Sequence, residues 1–164
     1  MTQQQPENAE AVVARLSGDG RFQTRISVRG TSFFADEPVE VGGGGTGPTP
    51  FELLSAALAA CTAMTLRLYA ERKGWDLPDF TVEAAHALAS EPGGRDRFVR
   101  RIALDGAVDD ERAARLLEIA DKCPVHRTLV RGFEIVTESG ASAVHTAPEP
   151  PTRHEEAMEQ ACAD

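Results

Sequence analysis

Thr49-Pro50-Phe51-Glu52-Leu53-Leu54-Ser55-Ala56-Ala57-Leu58-Ala59-Ala60-Cys61-Thr62-Ala63-Met64-Thr65-Leu66-Arg67-Leu68-Tyr69-Ala70-Glu71-Arg72-Lys73-Gly74 is the stretch on which the fold turns. Its start is chemically marked: Thr49 suits the N-cap, Pro50 the first helical position, and Glu52 completes a capping box. Gly74 supplies the stop. A helix of that extent is about 35 Å long, enough to cross a small domain. Leu53, Leu54, Ala57, Leu58, Cys61, Met64, Thr65 and Leu68 form an apolar face, and Ala56, Ala59, Ala60 and Ala63 leave the other faces nearly as unpolar. The pattern predicts a helix buried on all sides. Charges gather only after Arg67, in Glu71, Arg72 and Lys73, where the cations suit the negative end of the helix dipole.

Upstream, Pro38 and the run Gly42-Gly43-Gly44-Gly45-Thr46-Gly47-Pro48 exclude helix and strand and read as a flexible lead-in. The run lacks the Lys-Ser/Thr ending of a phosphate-binding loop, so nucleotide binding is not expected. From Ala11 to Asp36 apolar residues alternate, most clearly Phe22, Thr24, Ile26 and Val28, with turns at Ser17-Gly18-Asp19-Gly20 and Gly30. That predicts a three-stranded antiparallel meander. Downstream, Phe80 to Ala89 and Phe98 to Asp105 flank the turn Glu91-Pro92-Gly93-Gly94-Arg95-Asp96 and predict a hairpin. Asp109-Asp110-Glu111 opens a helix with the stripe Ala113, Leu116, Leu117 and Ala120. Pro124 turns Cys123 away from helical geometry and makes it the N-cap of a further short helix, and Phe133 to Thr137 reads as a last strand. The fold class is α/β of the α+β kind: a flexible N-terminus over 1–10, one domain over 11–138, and a disordered tail over 139–164 that holds at most a frayed helix over 155–161.

At 164 residues one domain is the expectation. A net charge of −9 opposes binding to phosphate backbones and anionic lipid, so neither nucleic acid nor a membrane is an expected partner. Met1 to Glu10 carries no basic or apolar run of a signal peptide, and the most apolar run ends at Arg67; a cytoplasmic location is expected. Three cysteines do not suggest a secreted disulfide framework, and each is judged by its surroundings.

Cys61, in mid-helix among alanines, has an ordinary reading as a small core residue; a reactive thiol there needs a neighbouring cation such as an arginine. Cys123, at a helix mouth before Pro124, sits where thiolate is favoured and is the better nucleophile on local grounds. Cys123-Pro124-Val125-His126 has no second Cys/His pair of suitable spacing, so no metal is expected. His126 reads as a helix-face residue and His86 as a satisfied packing histidine on the Val82, Ala84, Leu88 face. Cys162, His145 and His154 fall in the tail, where no ordered site is expected.

Two longer motifs carry a resemblance. Gly47-Pro48-Thr49-Pro50-Phe51-Glu52-Leu53-Leu54, continuing through Ala56 to Met64, and Ala120-Asp121-Lys122-Cys123-Pro124-Val125-His126-Arg127-Thr128-Leu129 resemble the two cysteine motifs of the OsmC/Ohr family. The resemblance implies an intertwined homodimer with antiparallel sheets wrapped around the long buried helix. It implies a thiol-dependent peroxidase in which Cys61 attacks an organic hydroperoxide and becomes a sulfenic acid. Cys123 then resolves it to a disulfide, and an external dithiol of the lipoyl type reopens that bond, without metal or organic cofactor. Phe33, Phe51, Leu54 and Leu58 are the expected apolar lining. Family enzymes pair the attacking cysteine with an arginine and a glutamate. Here Phe51 occupies the usual glutamate slot, Glu52 follows it and also serves the capping box, and Arg25 is favoured over Arg21 as the arginine. The rival readings are a non-catalytic redox-sensing or small-molecule-binding dimer of the same fold, which Phe51 favours, and an accessory domain to a hydrolase.

Overall fold

Alternation along the N-terminal segment does build three antiparallel strands. The computed structural model describes residues 11–104, 108–137, 139 and 153–163, and the chain forms two units, one built on residues 11–50 and the other on 51–135 with 153–163. In the first, β1 (Val13–Leu16), β2 (Thr24–Val28) and β3 (Thr31–Ala35) pair in the order β1-β2-β3, with Ala14 opposite Ile26 and Ile26 opposite Phe33. The glycine run is not a loose lead-in but a tied loop. Buried Asp36 accepts hydrogen bonds from the amides of Gly44 and Thr46 and from the Thr46 hydroxyl (2.8 Å). Burial pushes the Asp36 carboxyl up, but those bonds and the Glu37 amide outweigh it and hold it below the usual carboxylate range. Glycine is required where the backbone passes closest: a Cβ on Gly43 would overlap the Glu37 carbonyl, and one on Gly47 the Phe34 carbonyl.

The second unit is organised by α1 (Pro50–Lys73), which starts and stops where its end signals predict. Its burial is one-sided, a correction to the expectation of burial all round. Leu58, Cys61, Thr62, Thr65, Leu66, Tyr69 and Ala70 are buried, whereas Leu54 is 43% and Met64 54% exposed, with Ala57 and Ala60 exposed beside them. Length and apolarity alone would let α1 cross a membrane, but its packed face is part of the core. β4 (Phe80–Ala87) and β5 (Arg97–Leu104) form the expected hairpin. Period-two alternation puts Phe80, Val82, Ala84 and His86 on the less exposed face, opposite Leu104, Ile102, Arg100 and Phe98. One member of that face, Arg100, is charged.

α2 (Asp110–Ala120) is capped by Asp109, whose carboxylate accepts from the Arg112 amide at 2.8 Å. Its Leu116, Ile119 and Ala120 join Leu66, Tyr69, Ala70 and Leu77 in the main core, each large side chain contributing about 1.5–3 kcal/mol by burial. α3 (Pro124–Arg131) follows with Cys123 as N-cap. Phe133 to Thr137, expected as a strand, pairs with no described strand, and its apolar side chains stand exposed; a strand forms only against a neighbouring edge. Of the stretch read as a tail, residues 153–163 are built into the fold: α4 (Arg153–Ala161) lies against α3, and Cys162 is buried in the main core. The burial of Ala161 and Cys162 and the Arg72–Glu159 ion pair outweigh a polar composition. His145 lies outside the described residues.

Candidate active site

Cys61 projects from the buried side of α1, and the short α3 starts beside it. The two cysteines share one buried cluster, both thiols are free, and Cys61 is 3% and Cys123 0% exposed. Leu58, Ala84, Phe98, Val125 and Leu129 pack around them. Pro124 fixes the chain so that Cys123 Sγ accepts from the His126 amide at 3.3 Å, the N-cap geometry read from sequence. Thr62, one position past Cys61, lies with Oγ1 3.6 Å from Cys123 Sγ and donates to the Leu58 carbonyl at 2.7 Å. Arg100 reaches in from β5: Nη1 donates to Thr62 Oγ1 and to the Ala120 carbonyl, both at 2.9 Å, and Nη2 pairs with Asp121 at 2.7 Å.

These contacts decide which sulfur carries charge. Interaction with the neighbouring Cys61 thiol does most to pull Cys123 down to about 5, against the opposing effect of burial; the His126 amide, the Thr62 hydroxyl and the Arg100 charge add to the pull. The same interaction between the two thiols, reinforced by burial, pushes the Cys61 thiol up. Cys61 Sγ has two further polar neighbours, the Val125 amide at 3.5 Å and His154 Nε2 at 3.4 Å. An open cleft of about 640 Å³ is lined by Leu58, Phe98, Arg100, Asp121, His126 and Leu129, so the apolar residues around the cysteine pair also form its wall.

The family model described as "OsmC-like protein" matches residues 42–138, spanning both cysteines. The chain belongs to the OsmC-like family. No curated protein matches the sequence significantly. Among solved structures, an organic hydroperoxide resistance protein OsmC of Legionella pneumophila superposes with a TM-score of 0.59 at 20% identity, covering 78% of this chain and 93% of that one. OhrB of Bacillus subtilis, an organic hydroperoxide resistance protein, gives 0.55 at 23% identity over 75% and 90%. An OsmC-like protein of Mycoplasma pneumoniae gives 0.59 at 19% over 76% and 89%. At these identities the likeness is one of fold.

In this OsmC-like chain the structure brings Cys61 and Cys123 into one buried cluster. Glu52 is exposed in the first turn of α1, about 13 Å of helical rise before Cys61, beyond the reach of its own side chain. Arg25 sits on β2 with its guanidinium 4.5 Å over the Phe34 ring and 3.5 Å from Ser32 Oγ. Of the expected apolar lining, Leu58 packs on the cysteines, Phe51 stacks on His86 at 4.0 Å, and Phe33 and Leu54 are exposed. His86 is a satisfied packing residue, bonded to Asp96 at 3.0 Å. Two site residues escaped the sequence reading. Arg100 carried a signal, an arginine on the strand face of Phe98, Ile102 and Leu104; His154 carried none, because nothing local links it to Cys61.

Proposed function

We propose that this OsmC-like protein is a thiol peroxidase that reduces organic hydroperoxides to alcohols through a two-cysteine cycle, using an external dithiol, for which a lipoyl type is the candidate. The observation that supports it most is the packing of two free thiols in one buried cluster at the start of α3, with the Val125 amide on Cys61 Sγ and the His126 amide on Cys123 Sγ; the second sets Cys123 where thiolate is favoured. In this reading Cys61 attacks the outer peroxide oxygen; the S–O bond forms as the O–O bond breaks, and the alcohol leaves. The Cys123 thiolate then attacks the Cys61 sulfur and expels water. The mixed lining of the cleft, with Leu58, Phe98 and Leu129 beside Arg100, suits an alkyl hydroperoxide. Arg100 is a cation that favours thiolate in the pair, through Thr62.

The reading includes a cytoplasmic homodimer. The exposed apolar stripe of α1 and the unpaired segment from Phe133 to Thr137 are surfaces that a second copy would cover. A non-catalytic redox sensor or small-molecule-binding dimer is the second reading, favoured by the distance of Glu52 from Cys61.

Mixing the reduced protein with cumene hydroperoxide separates the two. Rapid loss of two free thiols per chain, with Cys61→Ser abolishing turnover and Cys123→Ser stopping at a trappable sulfenic acid, is the peroxidase outcome. Slow, non-stoichiometric thiol loss unaffected by these substitutions would refute it in favour of the sensor.

A further inference from the structure

His154 lies outside the segment that the family model matches, yet its Nε2 is 3.4 Å from Cys61 Sγ. The contact is held from further along α4. Arg72 on α1 pairs with the Glu159 carboxylate at 2.6 Å and donates to the Glu159 carbonyl at 3.1 Å, and Cys162 is buried with its sulfur 3.6 Å from the Thr65 carbonyl oxygen. Two turns of helix back from that anchor, His154 is exposed to solvent while its ring touches a buried sulfur. No other side chain in the described contacts of Cys61 has that double position. Cys123 is fully buried, whereas an exposed imidazole is open to proton exchange with bulk water.

Building on the peroxidase reading, we propose that His154 is a catalytic residue of the cysteine pair, the carrier that moves protons between the Cys61 sulfur and solvent. As Cys61 bonds to the outer oxygen of the hydroperoxide, its thiol proton passes to Nε2, the O–O bond breaks, and the imidazolium returns the proton to the departing alkoxide as alcohol. The sulfur is now a sulfenic acid, oxidised by the two electrons that reduced the peroxide. When the Cys123 thiolate attacks that sulfur, the S–S bond forms and hydroxide leaves, taking as water the proton that His154 has drawn from solvent. One hydroperoxide, one thiol, one thiolate and one solvent proton become alcohol, water and a disulfide. The imidazolium also compensates the transient Cys61 thiolate beside a Cys123 that Arg100 already compensates, so two negative sulfurs are not left facing each other unscreened.

The test uses the full chain with His154→Gln, which keeps size and polarity but cannot carry the proton, and His154→Ala. Iodoacetamide alkylation at neutral pH, read at each cysteine by peptide mass spectrometry, needs no peroxide and so stands apart from the peroxidase assay. Cys61 should alkylate at least about tenfold more slowly in both variants, in line with loss of a general acid–base group, with Cys123 unchanged. Imidazole added to the buffer should restore Cys61 reactivity in His154→Ala, which a purely structural role would not allow. Thermal unfolding checks that α4 stays anchored. Wild-type or faster alkylation of Cys61 in both variants would overturn the proposal, faster labelling meaning that His154 only covers the sulfur. If the wild type consumed no cumene hydroperoxide while Cys61 alkylation still depended on His154, the peroxidase reading would fail and the proton carrier would stand.

Discussion

Replacing Arg100 with methionine removes a guanidinium that is 12% exposed and makes three polar contacts, while keeping much of its apolar stem. The guanidinium reaches Cys123 through Thr62, by steps of 2.9 Å and 3.6 Å, so charge and sulfur are no more than about 6.5 Å apart. At an effective dielectric constant of about 20, unit charges at that separation interact by about 2.5 kcal/mol, or nearly two pH units of titration. Asp121, paired with the same guanidinium at 2.7 Å, cancels part of that field, which brings the expected effect to about one unit. Ultraviolet thiolate absorbance of the reduced protein should therefore show one thiol ionising per chain, with a midpoint near 5 in the wild type, because the interaction with Cys123 and burial push Cys61 upward and burial pushes Cys162 upward. In Arg100→Met the midpoint should move up by about one unit. Circular dichroism guards against general unfolding. A folded variant whose midpoint did not move would refute the assignment of Arg100 as the cation that favours thiolate in the pair.

Three further outcomes follow from the same structure. Cys123 is depressed to about 5 when folded against 9.0 as a free thiol, so its contribution is fully present above the unfolded value and is lost as pH falls toward 5; the urea midpoint of the reduced protein should rise between about pH 6 and 8, and Cys123→Ser should flatten that rise. Leu66 is completely buried in the main core, and Leu66→Ala should cost about 2–5 kcal/mol in urea denaturation followed by circular dichroism, whereas a cost below about 1 kcal/mol would mean that the core is not packed there as described. Met64 stands on the exposed apolar stripe of α1, and Met64→Glu should convert a dimer to monomer in light scattering while leaving the fold intact; an unchanged mass would place any dimer contact elsewhere.

Local signals made much of the fold legible. The start and stop of α1, the meander, the hairpin and the cap of α3 were all written into neighbouring residues: a proline that presets φ, a glycine that permits the left-handed turn, alternation that only a pleated strand can use. The N-cap role of Cys123 belongs with them, since Pro124 and the first amides of a helix are its neighbours in sequence. One-sided burial of α1 was not legible, because composition says that a face is apolar but not whether one chain has enough surface to cover it.

By itself, then, the sequence determined the order and limits of most elements and marked both cysteines as the residues of interest. Tertiary structure decided the rest: that the two cysteines meet in one buried cluster, that Arg100 reaches the Thr62 hydroxyl beside Cys123, and that α4 returns to set His154 against Cys61. Caps and turns draw their energy from residues a few positions apart. A cluster of cysteines remote in sequence depends on distances that exist only after the chain has closed its long loops, and no local pattern encodes those.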